Sequence, residues 1–139
     1  MSTRLKEKEE KILQILEALA EESVKGTPIL VEGKKDVDAL RASGVTGTVL
    51  TVKTGGKSFF DAVTEIEKMG APEVILLLDF DRRGKEGTKR LKQNLERAKI
   101  KPNINFWREL AALVGKEIQC VESLTAYLDT LRAKVSAKR

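Results

Sequence analysis

The chain contains no histidine and a single cysteine, and these two shortages remove large classes of chemistry. Without an imidazole there is no serine or cysteine triad built on a histidine base, and no His-ligated zinc site. Cys120 alone makes neither an internal disulfide nor a cysteine-rich metal site, which suits a reducing compartment. Aromatics are scarce, with one Trp, one Tyr and four Phe. Long apolar runs are missing too: Val74-Ile75-Leu76-Leu77-Leu78 falls far short of the roughly 20 residues needed to span a bilayer. No membrane is therefore expected as a partner. The stretch from Met1 to Lys11 is highly charged and carries no apolar signal region, so a cytoplasmic location is expected. The chemistry left to the chain rests on carboxylates, lysines and arginines.

What is present is ample for one folded domain. The 139 residues are 41% hydrophobic and 34% charged, which excludes a disordered or low-complexity chain. A net charge of +5 suits a polyanionic partner, or serves solubility alone.

Helical periodicity runs from Thr3 to Val24 through Leu5, Ile12, Leu16 and Leu19, and Lys25-Gly26-Thr27-Pro28 stops it. Ile29-Leu30-Val31 then reads as a strand, followed by a short helix around Val37 and Leu40 that Asp36 caps and Gly44 closes. Thr48 to Val52 reads as a second strand, with Ser58 as N-cap of a helix from Phe59 to Met69. Val74 to Leu78 has the continuous apolar character of a strand covered on both faces, and a helix follows to about Lys99. A short fourth strand lies near Ile100 to Ile104, then helices from Phe106 to Val114 and from Leu124 to Val135. Alternation of strands and helices indicates right-handed βαβ units, hence an α/β fold with a parallel sheet of about four strands flanked by helices. The expected division is an N-terminal helix over 1–26 packed on the domain, a core over 27–104 and a helical extension over 105–139.

Ligands of open parallel sheets sit beyond the carboxyl ends of the strands. The first strand ends in Glu32 and the third runs into Asp79 and Asp81. With strand order 2-1-3-4 the first and third strands are neighbours, about 4.8 Å apart, and Glu32 lies beside the two aspartates. Three carboxylates gathered there call for a cation, and hard oxygen donors favour magnesium or manganese. Taken singly, each aspartate also suits a turn or helix cap, and Glu32 a solvated strand end.

Ile29-Leu30-Val31-Glu32-Gly33-Lys34-Lys35-Asp36, followed by Leu76-Leu77-Leu78-Asp79-Phe80-Asp81-Arg82-Arg83-Gly84, resembles the two motifs of a Toprim domain. That Rossmann-like catalytic fold is shared by topoisomerases, bacterial primases and several nucleases. The resemblance covers about Thr27 to Ile104 and is strongest to the small standalone, primase-like Toprim proteins of archaea. It implies Glu32 as general acid or base and a magnesium ion bound by Asp79 and Asp81; with the carboxylate reading above, the expected metal set is Glu32, Asp79 and Asp81. Topoisomerases of the family carry a third acid where this chain has Arg83, which argues against a second fully protein-ligated metal.

The surroundings of that motif are basic. From Arg82 to Lys101 nine basic residues face only Glu86 and Glu96, a larger surplus than that of the whole chain. At 100° per residue Lys85, Lys89, Lys92 and Lys99 share one stripe, and Arg83, Arg90 and Arg97 another. A charge run of this kind is a solvated helix face or a phosphate-backbone track. Lys34, Lys35, Lys57, Arg82, Arg83, Lys85, Lys89 and Lys92 are the candidate nucleic-acid contacts. Gly33, Gly55, Gly56 and Gly84 are the candidate backbone turns. Thr54-Gly55-Gly56-Lys57-Ser58 falls one glycine short of a nucleotide-binding P-loop, since Thr51 stands where the first glycine belongs. It reads instead as a turn that meets a substrate phosphate or caps the next helix.

Phe106 and Trp107 precede Leu110 and Leu113 at helical spacing and read as core, and Cys120 reads as a small buried hydrophobe. Tyr127, the one tyrosine, is remote from both acidic motifs, which argues against a topoisomerase. The function expected is magnesium-dependent processing of phosphodiesters in RNA or DNA, most simply as a nuclease. Primase-like nucleotidyl transfer is the weaker version of that activity. A noncatalytic module that binds nucleic acid, or joins a ribonucleoprotein or a repair or processing complex, is the alternative.

Overall fold

The computed structural model describes residues 2–52 and 56–137. Helix α1 (Ser2–Val24) leads into β1 (Ile29–Val31), α2 (Lys34–Ala42), β2 (Val49–Thr51), α3 (Gly56–Met69) and β3 (Glu73–Leu76). Then come α4 (Arg82–Arg97), β4 (Lys101–Asn103), α5 (Asn105–Val114), a 3-10 turn at Val121–Ser123 and α6 (Leu124–Ala137). The four strands form one parallel sheet in the order β2-β1-β3-β4. The strand order is the one expected, and it makes β1 and β3 neighbours.

Side chains alternate across each strand, so the two faces of the sheet build two separate cores. Ile29 and Val31 of β1, with Ile75 and then Leu77, pack against Ile12, Leu16 and Leu19 of α1, Leu40 of α2, Leu110 and Val114 of α5, and Leu128 of α6. Leu30, Val74, Leu76 and Leu78 face the other way, onto Phe59, Val63 and Ile66 of α3 and Leu91 and Leu95 of α4. The N-terminal helix and the C-terminal extension thus share one core with the sheet. Among the described residues no helix is long and apolar enough to cross a membrane.

Several helix boundaries differ from expectation. Helix α2 begins at Lys34 behind Gly33, so Asp36 lies in its first turn and is not the N-cap. Helix α3 begins at Gly56, so Ser58 lies inside its first turn and is not the N-cap. Helix α4 ends at Arg97, and Lys99 takes a left-handed φ of 62° that carries it off the lysine stripe. Gly55 lies outside the described residues, and so does the side chain of Lys57.

The join of β3 to α4 is the tightest in the fold. A Cβ on Gly84 would run into the backbone carbonyl of Asp79, and one on Gly87 would stand 3.2 Å from Leu78 Cδ2. Only glycine lets the helix start close against the strand end. Gly33, in contrast, has an extended backbone with room for a side chain, so the turn there does not require glycine.

Gly84→Ala is expected to lower stability by about 1–3 kcal/mol, the usual scale of overpacking, because the obstacle is backbone. Urea unfolding measures it. An unchanged midpoint would mean that the start of α4 is free to shift.

Candidate metal centre

Parallel pairing of β1 with β3 carries the Glu32 side chain to the end of β3, where its Oε2 accepts the Asp79 N–H at 2.9 Å. Asp36, in the first turn of α2, accepts the Gly33 N–H through Oδ2 at 3.1 Å and the Glu122 N–H through Oδ1 at 2.8 Å. Asp81 caps α4: its Oδ1 accepts the Gly84 N–H at 2.8 Å. The capping role foreseen for a lone aspartate is thus met, and Oδ2 of Asp81 is not used by the cap.

The ligating atoms that lie within 4.8 Å of one another belong to Asp36, Asp79 and Cys120. Glu32 and Asp79 are brought together as expected, whereas Asp81 is directed to the α4 amides. Asp36 and Cys120 are the additions. Cys120 is half-buried beside the acids, with its sulfur 3.4 Å from Ser123 Oγ. It is not the buried core residue expected of it. The cause is the return of the chain after α5, which the Phe80 N–H ties to the end of β3 through the Gln119 carbonyl and which brings Cys120 beside Asp36 and Asp79.

Helix α5 and the return after it clamp the acidic segment. Trp107 Nε1 donates to the carbonyls of Leu78 at 3.0 Å and Asp79 at 3.3 Å, and the Phe80 N–H donates to the Gln119 carbonyl at 2.6 Å. The Trp107 ring also packs on the core, as read from its spacing, but its indole N–H was not legible as a support for the site.

Electrostatics concentrate on Asp79. Burial foremost, then the charges of Glu32, Asp36 and Asp81, and last a hydrogen bond to the Glu32 carboxyl, push its acid up to about 7. Asp36 is also raised, by burial, against the lowering effect of the Glu122 and Gly33 amides. None of the ion pairs among the described residues involves Glu32, Asp36, Asp79 or Asp81. Such a cluster fits a divalent cation. A thiol is too soft for magnesium, so within the cluster the hard donors are the carboxylates of Asp36 and Asp79, with Glu32 beside Asp79.

Around this centre Lys34, Lys35, Arg82, Arg83, Lys85 and Lys89 are exposed, and Lys92 is half-buried. Arg82 pairs loosely with Glu86, at 3.3 Å on the surface.

An acid-bearing turn after β1, another after β3 and the 2-1-3-4 sheet between them define the class. The chain belongs to the Toprim domain family, whose model matches residues 26–104. It is 37% identical over 125 residues to a UPF0292 protein of Methanosarcina acetivorans, an alignment covering 90% of this chain and 85% of that one. A UPF0292 protein of Methanocaldococcus jannaschii is 36% identical over 121 residues, or 86% and 91% of the two chains. Among solved structures, a protein from Aquifex aeolicus superposes with a TM-score of 0.65 at 28% identity, over 79% of this chain and 94% of that one.

Two outcomes follow for stability. A folded-state pKa above the unfolded value means that Asp79 favours folding fully below about pH 3.8. That contribution is lost as the pH rises to about 7, where the buried group must ionise. Asp79→Asn is therefore expected to raise the thermal midpoint at pH 8 by a few degrees in EDTA, and, if the cluster takes a divalent cation, to be stabilised less than the wild type by added magnesium. Calorimetry across pH 4 to 8 checks both. Trp107→Phe, which leaves two carbonyls without their donor, is expected to cost about 1–2 kcal/mol in urea unfolding.

Proposed function

We propose that the protein is a magnesium-dependent enzyme that cleaves phosphodiester bonds in RNA or DNA. The carrying observation is the group of acids at the strand ends, unpaired with any cation among the described residues. It lies at the start of a helix that carries most of the chain's basic surplus. Glu32, Asp79 and Asp81 would hold the ion, which supplies Lewis-acid polarisation of a phosphoryl oxygen when bound. Glu32 takes the proton of the attacking water or returns one to the leaving oxygen. The Asp79 N–H holds the Glu32 carboxylate in one direction for that transfer. Lys34 and Lys35 at the head of α2, with Arg82, Arg83, Lys85 and Lys89 on α4, hold the phosphate backbone. Lys57 joins them by its place in the sequence after β2.

Family membership supports metal-dependent processing of nucleic acid in general, and the nuclease activity is the finer reading. With magnesium and either structured RNA or single-stranded DNA, Glu32→Gln and Asp79→Asn are each expected to cut the cleavage rate by about a hundredfold or more. Lys85→Glu combined with Lys89→Glu is expected to weaken binding and flatten its dependence on salt. Salt-sensitive binding without turnover on any substrate would instead make the protein a noncatalytic docking module.

A further inference from the structure

We propose that Phe60 and the cleft between α3 and α4 bind an unpaired nucleobase of the same nucleic acid, so that the protein engages single strands or loops ahead of continuous duplex. This rests on the nucleic-acid reading above and adds a second binding point away from the metal centre.

The ring is 69% exposed, although Phe59 beside it is buried in the core. Phe60 lines a cleft of about 320 Å³ together with Val63, Glu67, Asn94, Arg97 and Ala98. An apolar floor, an aromatic wall and a rim of one amide, one guanidinium and one carboxylate are the groups that take a planar heterocycle with polar edges. The ring offers a face for stacking, and Asn94 and Glu67 offer acceptors and a donor for a base edge.

Charge connects this cleft to the acids. Arg83, Arg90 and Arg97 recur every seven residues along α4, about 10.5 Å apart at 1.5 Å per residue. Arg90 leans toward α3, its guanidinium 5.5 Å from the Phe59 ring centroid, and Arg97 borders the cleft itself. Asn94 stands about 18 Å along the helix axis from Arg82 at the same rise. A strand whose phosphates follow the arginines thus runs from the metal centre to Phe60 within a few nucleotides. Bases inside a duplex are stacked on each other and have no face to give, so the occupant is an unpaired one.

A protein partner fits less well. Such an interface needs a contiguous apolar area, and the other exposed large apolar side chains among the described residues are scattered. Leu13 and Val24 belong to α1, on the opposite side of the sheet, and Met69 lies at the far end of α3.

The test uses the full chain with magnesium and phosphorothioate oligonucleotides, whose linkages resist cleavage. Short oligonucleotides, single-stranded or blunt duplex, carry one 2-aminopurine and a fluorescein label. Phe60→Ala is expected to weaken single-strand binding by about fivefold to a hundredfold, the range for loss of one stacked base. Duplex affinity should stay as in the wild type, Phe60→Trp should retain tight binding, and quenching of the 2-aminopurine should vanish in Phe60→Ala alone. Because the ring is exposed, the thermal midpoint should not change. Equal binding of single strand by wild type and Phe60→Ala overturns the inference while leaving the nucleic-acid reading intact. Loss of a dimer in Phe60→Ala with unaltered oligonucleotide binding also overturns it, making the ring a contact between copies. Wild-type protein that binds neither oligonucleotide overturns both readings.

Discussion

The N–H of Asp79, donated to the Glu32 carboxylate, is the contact on which the arrangement of the acidic centre depends. It joins residues 47 positions apart, and it exists only because β1 and β3 are adjacent parallel strands whose carboxyl ends come out level. A slip of one residue between these strands would turn Glu32 to the other face of the sheet and leave the Asp79 amide without its acceptor. The two apolar faces prevent that slip. Ile29 and Val31 belong to one core and Leu30 to the other, so register and burial enforce each other.

Crowding acids at one end of a sheet works against folding, and the surrounding structure offsets it in a recognisable way. Helices α2 and α4 both begin at these strand ends, so the positive ends of two helix dipoles face the carboxylates. Asp36 and Asp81 each accept amides from those helix starts. Helix α5 adds the Trp107 indole, and the chain after it adds the Gln119 carbonyl and the Glu122 amide, all fixing backbone or carboxylate groups around Asp79. The C-terminal extension is thereby a wall of the centre as well as half of a core. Asp79 is the position where compensation remains incomplete, because burial and the charges of Glu32, Asp36 and Asp81 all oppose its ionisation, and a divalent ion would relieve that opposition.

How much of this was legible follows from the range of the forces involved. Strand and helix periods, the capping of α4 and the order of the sheet depend on local patterns and a few topological rules, and they read directly. Glu32 and Asp79 could be paired in advance because a parallel sheet aligns strand ends. Asp36 read only as a helix cap, since its second partner, Glu122, lies 86 residues away. Cys120 reads as core for the same reason, since nothing near it in sequence announces the return of the chain across the strand ends. The core reading of Trp107 holds, and only its indole hydrogen bonds to the Leu78 and Asp79 carbonyls escape the local pattern. Phe60 illustrates a different limit. One helical turn contains Phe59 and Phe60, and composition alone does not tell which ring is covered by α4 and which is left to solvent.

The placement of cations on α2 and α4 bears on the proposed activity, because local energetics oppose it. Lys34 and Lys35 open α2, and Arg82, Arg83 and Lys85 occupy the first turn of α4, which contains no acidic residue. Cations at the positive end of a helix each cost about 0.3–1 kcal/mol, and ordinary helices put acids there. The neighbouring carboxylates do not neutralise them through ion pairs among the described residues. Apart from Arg82, which meets Glu86, cations without an ion pair among the described residues therefore stand beside carboxylates without one, around two helix starts. Neither set is explained by stability, for pairing them directly would relieve both. A metal ion bound to the acids and a phosphodiester lying against the bases would satisfy the two sets together, with the anion drawn also to the open helix amides. That double deficit, more than the net charge of the chain, is the physical argument for a phosphate-bearing substrate at this end of the sheet.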